Sequence, residues 1–320
     1  MAEGGVVQRP LPEESLLVDR LTAVLEAPVP VQILSRKEKQ SGTFPKEVVS
    51  CVLADGRQIQ LFCKYSAPRF GAFEHRRGVL YEAEIYRRLL VDLPLTVPTF
   101  VGSHEDVSAG EAWLMLVNLE GAVRSRREWH LLPLVAAWLG EFHRLHEGAE
   151  SRDDLDFMIR YDAAYYEGWA ARTELYSQHL HETHPWLPVL CRHMPAVVPM
   201  LTAAPQTVVH GEYTVNNIMI RDGEVFPTDW ESAAIGFGEI DLVCLVDNWP
   251  EDTVAACTEA YVTARWPEER PVDVELRMLA AELYLQMRWL GEDPAALHAD
   301  VSARLGRLHT IARAMGIGDS

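Results

Sequence analysis

The segment VVHGEYTVNNIMIRDGEVFPTDWESAAIGFGEIDLV, residues 208–243, holds the densest grouping of polar side chains suited to chemistry. Within it two short apolar runs, Ile218-Met219-Ile220 and Val225-Phe226, flank Arg221-Asp222-Gly223-Glu224, the composition of a tight β-hairpin. A hairpin brings the residues at its open end together, so Asn217 and Asp229, twelve positions apart, become neighbours in space. An amide oxygen and a carboxylate so placed suit a hard cation, and magnesium in particular is held by few protein oxygens together with substrate phosphates. Their even separation lets both side chains share one face only if the loop has an odd count or a bulge. Glu212, five positions before Asn217, is a carboxylate placed to accept or orient the proton of an attacking hydroxyl.

The elements that must position these groups change texture once along the chain, from a strand-rich first third to a helix-rich remainder. Residues 47–65 read as a hairpin: VVSCVL, a turn at Ala54-Asp55-Gly56-Arg57, then QIQLFCKY. Alternation puts Ile59, Leu61 and Cys63 on one face and Gln60, Phe62 and Lys64 on the other. The spacing of GVLYEAEIYRRLLV predicts a helix over 78–91 with Glu82, Tyr86, Leu89 and Leu90 on one side, while Glu84 faces outward four residues before Arg88. Glu82 thus points inward with no local partner. Pro94 and Pro98 end that helix, and EAWLMLVNLEG (111–121) reads as a buried strand running into a glycine-marked loop. A boundary near residue 117 divides the chain into 1–116 and 117–320. Beyond it VAAWLGEFHRLHE is a long buried helix, in which His143 and His146 read as core or boundary histidines rather than catalytic ones. Further helices are expected over 161–172 and from Val272 onward, and Gly236-Phe237-Gly238 as a turn.

Composition narrows the class. The 320 residues carry 29 Lys+Arg against 47 Asp+Glu, a formal net charge of −18 that argues against nucleic acid as a partner. The 48% hydrophobic content suffices for a packed core. Five cysteines at 51, 63, 191, 244 and 257 form no CxxC pair and read as buried small hydrophobes in a reducing compartment. The acidic, proline-containing start is unlike a secretory signal, and the longest charge-free stretch, Met194–Gly211, is broken by Pro195, Pro199 and Pro205. A soluble cytoplasmic protein without membrane partners is expected; the oligomeric state is not legible.

The ordered blocks His210-Gly211-Glu212-x4-Asn217, then Asp229-Trp230-Glu231, then Gly236-x4-Asp241-Leu242 closely resemble the aminoglycoside phosphotransferase and choline-kinase-like family, small-molecule relatives of protein kinases. The resemblance extends over roughly residues 30–250: LFCKY is similar to the ATP-phosphate lysine strand, LMLVNLEG to the interlobe hinge, and LGEFHRLH to the helix before the catalytic region. It implies an α+β, bilobal protein-kinase-like fold, with a small antiparallel-sheet N-lobe, a mostly helical C-lobe and ATP (or GTP) in the cleft between them. By position, Lys64 held by Glu82 would contact the phosphates, Glu212 would be the catalytic carboxylate, and Asn217 and Asp229 would bind Mg2+. His210 and Asp241 would brace the catalytic segment, and backbone around Met115, Val117 and Leu119 would meet the adenine. Ser41-Gly42-Thr43-Phe44 would form the flap over the phosphates. One position departs from the family pattern: its usual aspartate is here Glu212, which moves the carboxylate by on the order of 1 Å.

The resemblance implies transfer of the γ-phosphoryl group to a hydroxyl of a small molecule. The net charge favours a cationic acceptor such as an amino sugar or amino alcohol, and equally serves solubility. Asp153, Asp154 and Asp156, just before a Tyr/Trp-rich helix, and Glu231 are the candidate acceptor-lining acids, with a solvated loop as the plainer account of the first three. Two other classes remain open: a nucleotide-binding regulator of the same fold without turnover, marked by the glutamate, and a metal-dependent hydrolase using His210, Glu212 and Asp229.

Overall fold

The computed structural model describes residues 11–40, 44–66, 75–292 and 301–316. The chain enters through helix α1 (Glu14–Val24) and builds a five-stranded sheet from β1 (Gln32–Glu38), β2 (Lys46–Val52), β3 (Gln58–Tyr65), β4 (Phe100–Asp106) and β5 (Glu111–Val117). Its order is β1-β2-β3-β5-β4, antiparallel throughout. The β2–β3 turn lies where the sequence places it. Asp55 Oδ1 accepts the Arg57 N–H at 3.0 Å, and Gly56 takes φ +81°, a left-handed conformation that a side chain would disfavour. Leu61 and Cys63 join Val49, Cys51, Met115 and the α1 residues Leu17 and Leu21 in one core, with Ile59 packed at its margin, as the alternation of β3 requires.

The helix expected over 78–91 is α2 (Val79–Ile85), continued by a wide π-type turn over Tyr86–Leu90. Glu82, Tyr86, Leu89 and Leu90 are all buried, and outward-facing Glu84 pairs with Arg87. After the short strand β6 (Val123–Arg124) come α3 (Leu132–Leu145), α4 (Ala163–Tyr176) and α5 (Trp186–Leu201), then β7 (Thr207–Val209). Asp162 caps α4 by accepting the Tyr165 N–H at 2.9 Å. Helix α5 runs through Pro195 and Pro199, which composition alone reads as breaks. The hairpin of β8 (Ile218–Arg221) and β9 (Glu224–Pro227) turns at Asp222 and Gly223, with φ +53° and +79°, the primed-turn geometry that an Asp-Gly pair favours. Strand β10 (Ala234–Gly236) pairs with β7, so Gly236 ends a strand rather than lying in a turn. Helices α6 (Glu239–Val246), α7 (Glu251–Arg265), α8 (Val274–Glu292) and α9 (Ser302–Ala314) complete the chain.

By its internal contacts the chain divides into two compact units, one running to Val123 and including Met219–Ser232, the other comprising Arg124–Ile218 and the residues from Ala233 onward. The first is the sheet with α1, α2 and the hairpin, which Thr96 ties in by donating its hydroxyl to the Val225 carbonyl at 2.7 Å. The second is helical: α3 packs along α7, and α4 along α8, where the Tyr165 and Tyr284 hydroxyls are 2.7 Å apart. Gly140 of α3 permits the first of these contacts, because a Cβ there would stand 2.5 Å from the Tyr261 carbonyl oxygen. All five cysteines are free and buried. Among the described residues no helix is long and apolar enough to cross a membrane.

Candidate active site

In the first unit Lys64, near the end of β3, is gathered with acids from two other parts of the chain. Its Nζ donates to Glu82 Oε2 at 2.6 Å and also to Asp229 Oδ1. The Lys64 and Glu82 side chains are 5% and 2% exposed, so this is a buried ion pair, whereas Asp229 is 34% exposed and reachable from outside. Glu82 is held from its other side by the Trp230 N–H, 3.2 Å from Oε1. Burial alone would lower the lysine's proton affinity, but the carboxylates of Asp229, Glu82 and Glu231 outweigh it and hold the ammonium charged. Burial pushes Glu82 upward, against the opposing pull of Lys64. Asp229 has φ +71°, left-handed backbone that a non-glycine residue adopts only where its surroundings fix it, and Lys64 grips its side chain.

Glu231 belongs to this group. It is buried, its carbonyl accepts the Arg77 N–H at 2.9 Å, and Arg76 Nε lies 3.8 Å from its carboxylate. Burial, reinforced by Asp229 and Glu82 against Lys64, pushes it up to about 7. Of the proposed flap, Ser41, Gly42 and Thr43 lie outside the described residues; Phe44 is buried with its ring centroid 4.9 Å from the Lys64 ammonium. On the hinge segment the N–H groups of Val117 and Asn118 are committed to Thr99 and Gln60 carbonyls, both at 2.9 Å, and Met115 is buried in the sheet.

The second unit shapes the His210–Asn217 segment. Asp241, on α6, accepts the N–H groups of His210 at 2.6 Å and Gly211 at 2.9 Å through separate oxygens. Burial pushes its carboxyl up to about 6, against the His210 ring and those two N–H bonds. His143 lies 3.3 Å from the same carboxylate and 3.0 Å from the Tyr261 hydroxyl; burial and Arg265 hold its pKa well below the usual value, so it is a neutral, hydrogen-bonded core histidine. Ring Nδ1 of His210 accepts the Glu212 N–H at 3.3 Å. Asn217 donates its amide nitrogen to the Glu212 carbonyl at 3.0 Å, which makes the amide oxygen its end for a cation.

Two residues of this segment depend on a partner that no motif announces. Arg288, on α8, donates from Nη2 to Glu212 Oε1 at 2.9 Å and from Nη1 to the Gly211 carbonyl at 3.2 Å. The available signal is a charged residue in the apolar stripe of α8, four positions after Tyr284. The acids at 153, 154 and 156 are exposed in the segment before α4, where Asp154 pairs with Arg152.

Taken one unit at a time, Asp229 in the first offers a partly exposed carboxylate and Asn217 in the second an amide oxygen, each a hard donor of the kind magnesium takes. Among the described residues no three His, Cys, Asp or Glu side chains cluster as a metal cage, which a magnesium shared with phosphates does not need.

A sheet unit carrying the lysine–glutamate–aspartate trio and a helical unit carrying the braced His210–Asn217 segment define a protein-kinase-like fold. It is similar to choline kinase from Streptococcus pneumoniae, at 12% identity over 94% of this chain and 99% of that one, with a TM-score of 0.62. It is also similar to choline kinase from Cryptosporidium parvum, at 10% identity over 95% and 96%, TM-score 0.64. A third similar structure is the streptomycin-ATP-APH(2")-IIa ternary complex, at 15% identity over 93% and 97%, TM-score 0.54. No curated protein matches the sequence. The model of the phosphotransferase enzyme family matches residues 54–273, more than half of the chain. The chain belongs to that family and is a phosphotransferase with the fold of small-molecule kinases.

Proposed function

We propose that the protein transfers the γ-phosphoryl group of ATP or GTP to a hydroxyl of a small molecule. The observation that carries this reading is Lys64, buried and charged, shared between Glu82 and the partly exposed Asp229. Such an ammonium is preorganised to meet phosphate oxygens at little cost in reorganisation. Asn217 and Asp229 would hold magnesium, which when bound neutralises charge on the transferring phosphoryl oxygens. Lys64 orients the phosphates, and Glu212 receives or orients the proton of the acceptor hydroxyl, on a segment that Asp241 keeps rigid through two backbone bonds. A cationic acceptor, an amino alcohol or an aminoglycoside, is consistent with the charge of −18 and with the choline and streptomycin of the similar proteins.

The test is ATP consumption by the purified protein across hydroxylated compounds, choline and aminoglycosides included. Glu212→Ala is expected to reduce transfer at least about 100-fold with MgATP affinity within a few-fold of the parent; undiminished transfer removes Glu212 from its role. A second reading, a nucleotide-binding protein without turnover, is favoured by the glutamate that stands at 212 in place of the family's aspartate. MgATP binding with no consumption for any acceptor, nor for water, would select it.

A further inference from the structure

The carboxylate of Glu212 reaches one methylene further than the family's aspartate, and an unrestrained glutamate samples more orientations than chemistry at a fixed distance tolerates. In this protein it is restrained. The Arg288 and Glu212 side chains are 1% and 9% exposed, and the guanidinium bonds both the Glu212 carboxylate and the Gly211 carbonyl just before it. The peptide segment is therefore gripped from two sides, with Asp241 on the N–H groups of His210 and Gly211 and Arg288 on the carbonyl of Gly211 and the side chain of Glu212. A planar two-donor fork fixes direction as well as distance, which a lysine's single ammonium does not. Glu292, one turn further along α8, lies 3.8 Å from the same guanidinium and helps to seat it.

We propose that Arg288 is a positioning residue for phosphoryl transfer: it clamps the longer carboxylate at 212 in the working orientation and so makes α8 part of the catalytic apparatus. The proposal rests on the reading of Glu212 as the proton-handling carboxylate. It explains how a glutamate can serve there, since the arginine removes the freedom that the extra methylene adds.

The experiment measures kcat and KM for MgATP hydrolysis with water as acceptor, alongside the thermal midpoint, for the parent, Glu212→Ala, Glu212→Gln, Arg288→Ala, Arg288→Lys and the Glu212→Gln/Arg288→Ala double variant. Arg288→Ala is expected to lower kcat on the order of 100-fold, the effect of about 1 Å of misplacement, with KM for ATP within about threefold. Millimolar guanidinium should restore part of that loss. Arg288→Lys keeps charge and burial but not the fork; it should fall about tenfold in kcat, and carries the test if Arg288→Ala does not fold. In the Glu212→Gln background, losing Arg288 should cost less than about threefold more, because residues acting as a unit are non-additive. Parent-like or raised kcat in both Arg288 variants, or an equal loss in the Glu212→Gln background, overturns the proposal. If Glu212→Ala abolishes turnover and the arginine variants do not reduce it, the proposal falls alone. If the parent consumes no ATP with water or with any hydroxylated acceptor of the screen, both the functional reading and the proposal fall; if it turns over only with an acceptor, the same variants are compared with that acceptor and the same outcomes apply.

Discussion

Replacing Lys64 by methionine tests whether the ion pair under the sheet is held by charge compensation. The side chain is buried and of similar length to methionine, so packing changes little while the charge disappears. What remains is the Glu82 carboxylate, 2% exposed, with the Trp230 N–H on its other oxygen. Breaking one side of such a buried pair costs about 3–5 kcal/mol. Asp229 adds little, because at 34% exposure it can turn to water. Losing a charge-assisted bond to phosphate, worth about 1.5–3 kcal/mol, should weaken MgATP binding about 10- to 100-fold. Urea unfolding at neutral pH and calorimetric titration with MgATP read the two effects separately. Lys64→Met combined with Glu82→Gln removes the orphaned charge yet retains an acceptor for Trp230. It should therefore recover at least about 2 kcal/mol of stability while nucleotide affinity stays lost. A double variant no more stable than Lys64→Met would refute the reasoning, since the cost would then not come from the uncompensated carboxylate.

Gly140→Ala should destabilise the helical unit by about 1–3 kcal/mol, because the new methyl would meet a backbone oxygen at 2.5 Å where α3 crosses α7; an unchanged thermal midpoint would count against that packing. Burial pushes the Asp241 carboxyl up to about 6 from the ordinary 3.8, so its contribution to stability is expected to be full below about pH 4 and lost as the pH rises through 6. That is about 3 kcal/mol across the window. Asp241→Asn should therefore cost less at pH 7 than at pH 4.5, which urea midpoints at the two pH values measure; a penalty that grows with pH contradicts the sign. Asn217→Ala removes the bond to the Glu212 carbonyl and should lower stability by about 1 kcal/mol while raising the magnesium needed for half-maximal turnover. Equal magnesium requirements in parent and variant would exclude Asn217 as a ligand.

Much of the first unit is legible in the residues themselves. Asp55-Gly56 and Asp222-Gly223 place two hairpin turns, the alternation of β3 sends Leu61 and Cys63 to the core, and helical spacing turns Glu82 inward. These features depend on periods of two and 3.6 residues and on turn chemistry, all of which act locally. The order of the polar blocks identifies the family for the same reason: motifs are local strings. Other features escape such reading. Helix α5 forms through two prolines, which local propensity disfavours. A single cut near residue 117 cannot express that 219–232 packs with the earlier sheet.

The sequence by itself determined which groups are available and in what order: one lysine on a strand, an inward glutamate on the next helix, and a carboxylate, an amide and an Asp-Trp-Glu run around a hairpin. Tertiary structure alone decided that Lys64 meets an acid 165 positions later, that Glu231 is buried beside that pair, and that Glu212 is clamped by an arginine 76 positions along the chain. The physical reason is range. Side-chain direction along a strand or helix is set within a few residues, whereas the pairing of buried charges is set by how finished elements pack, since a charge removed from water must find its partner wherever the fold provides one.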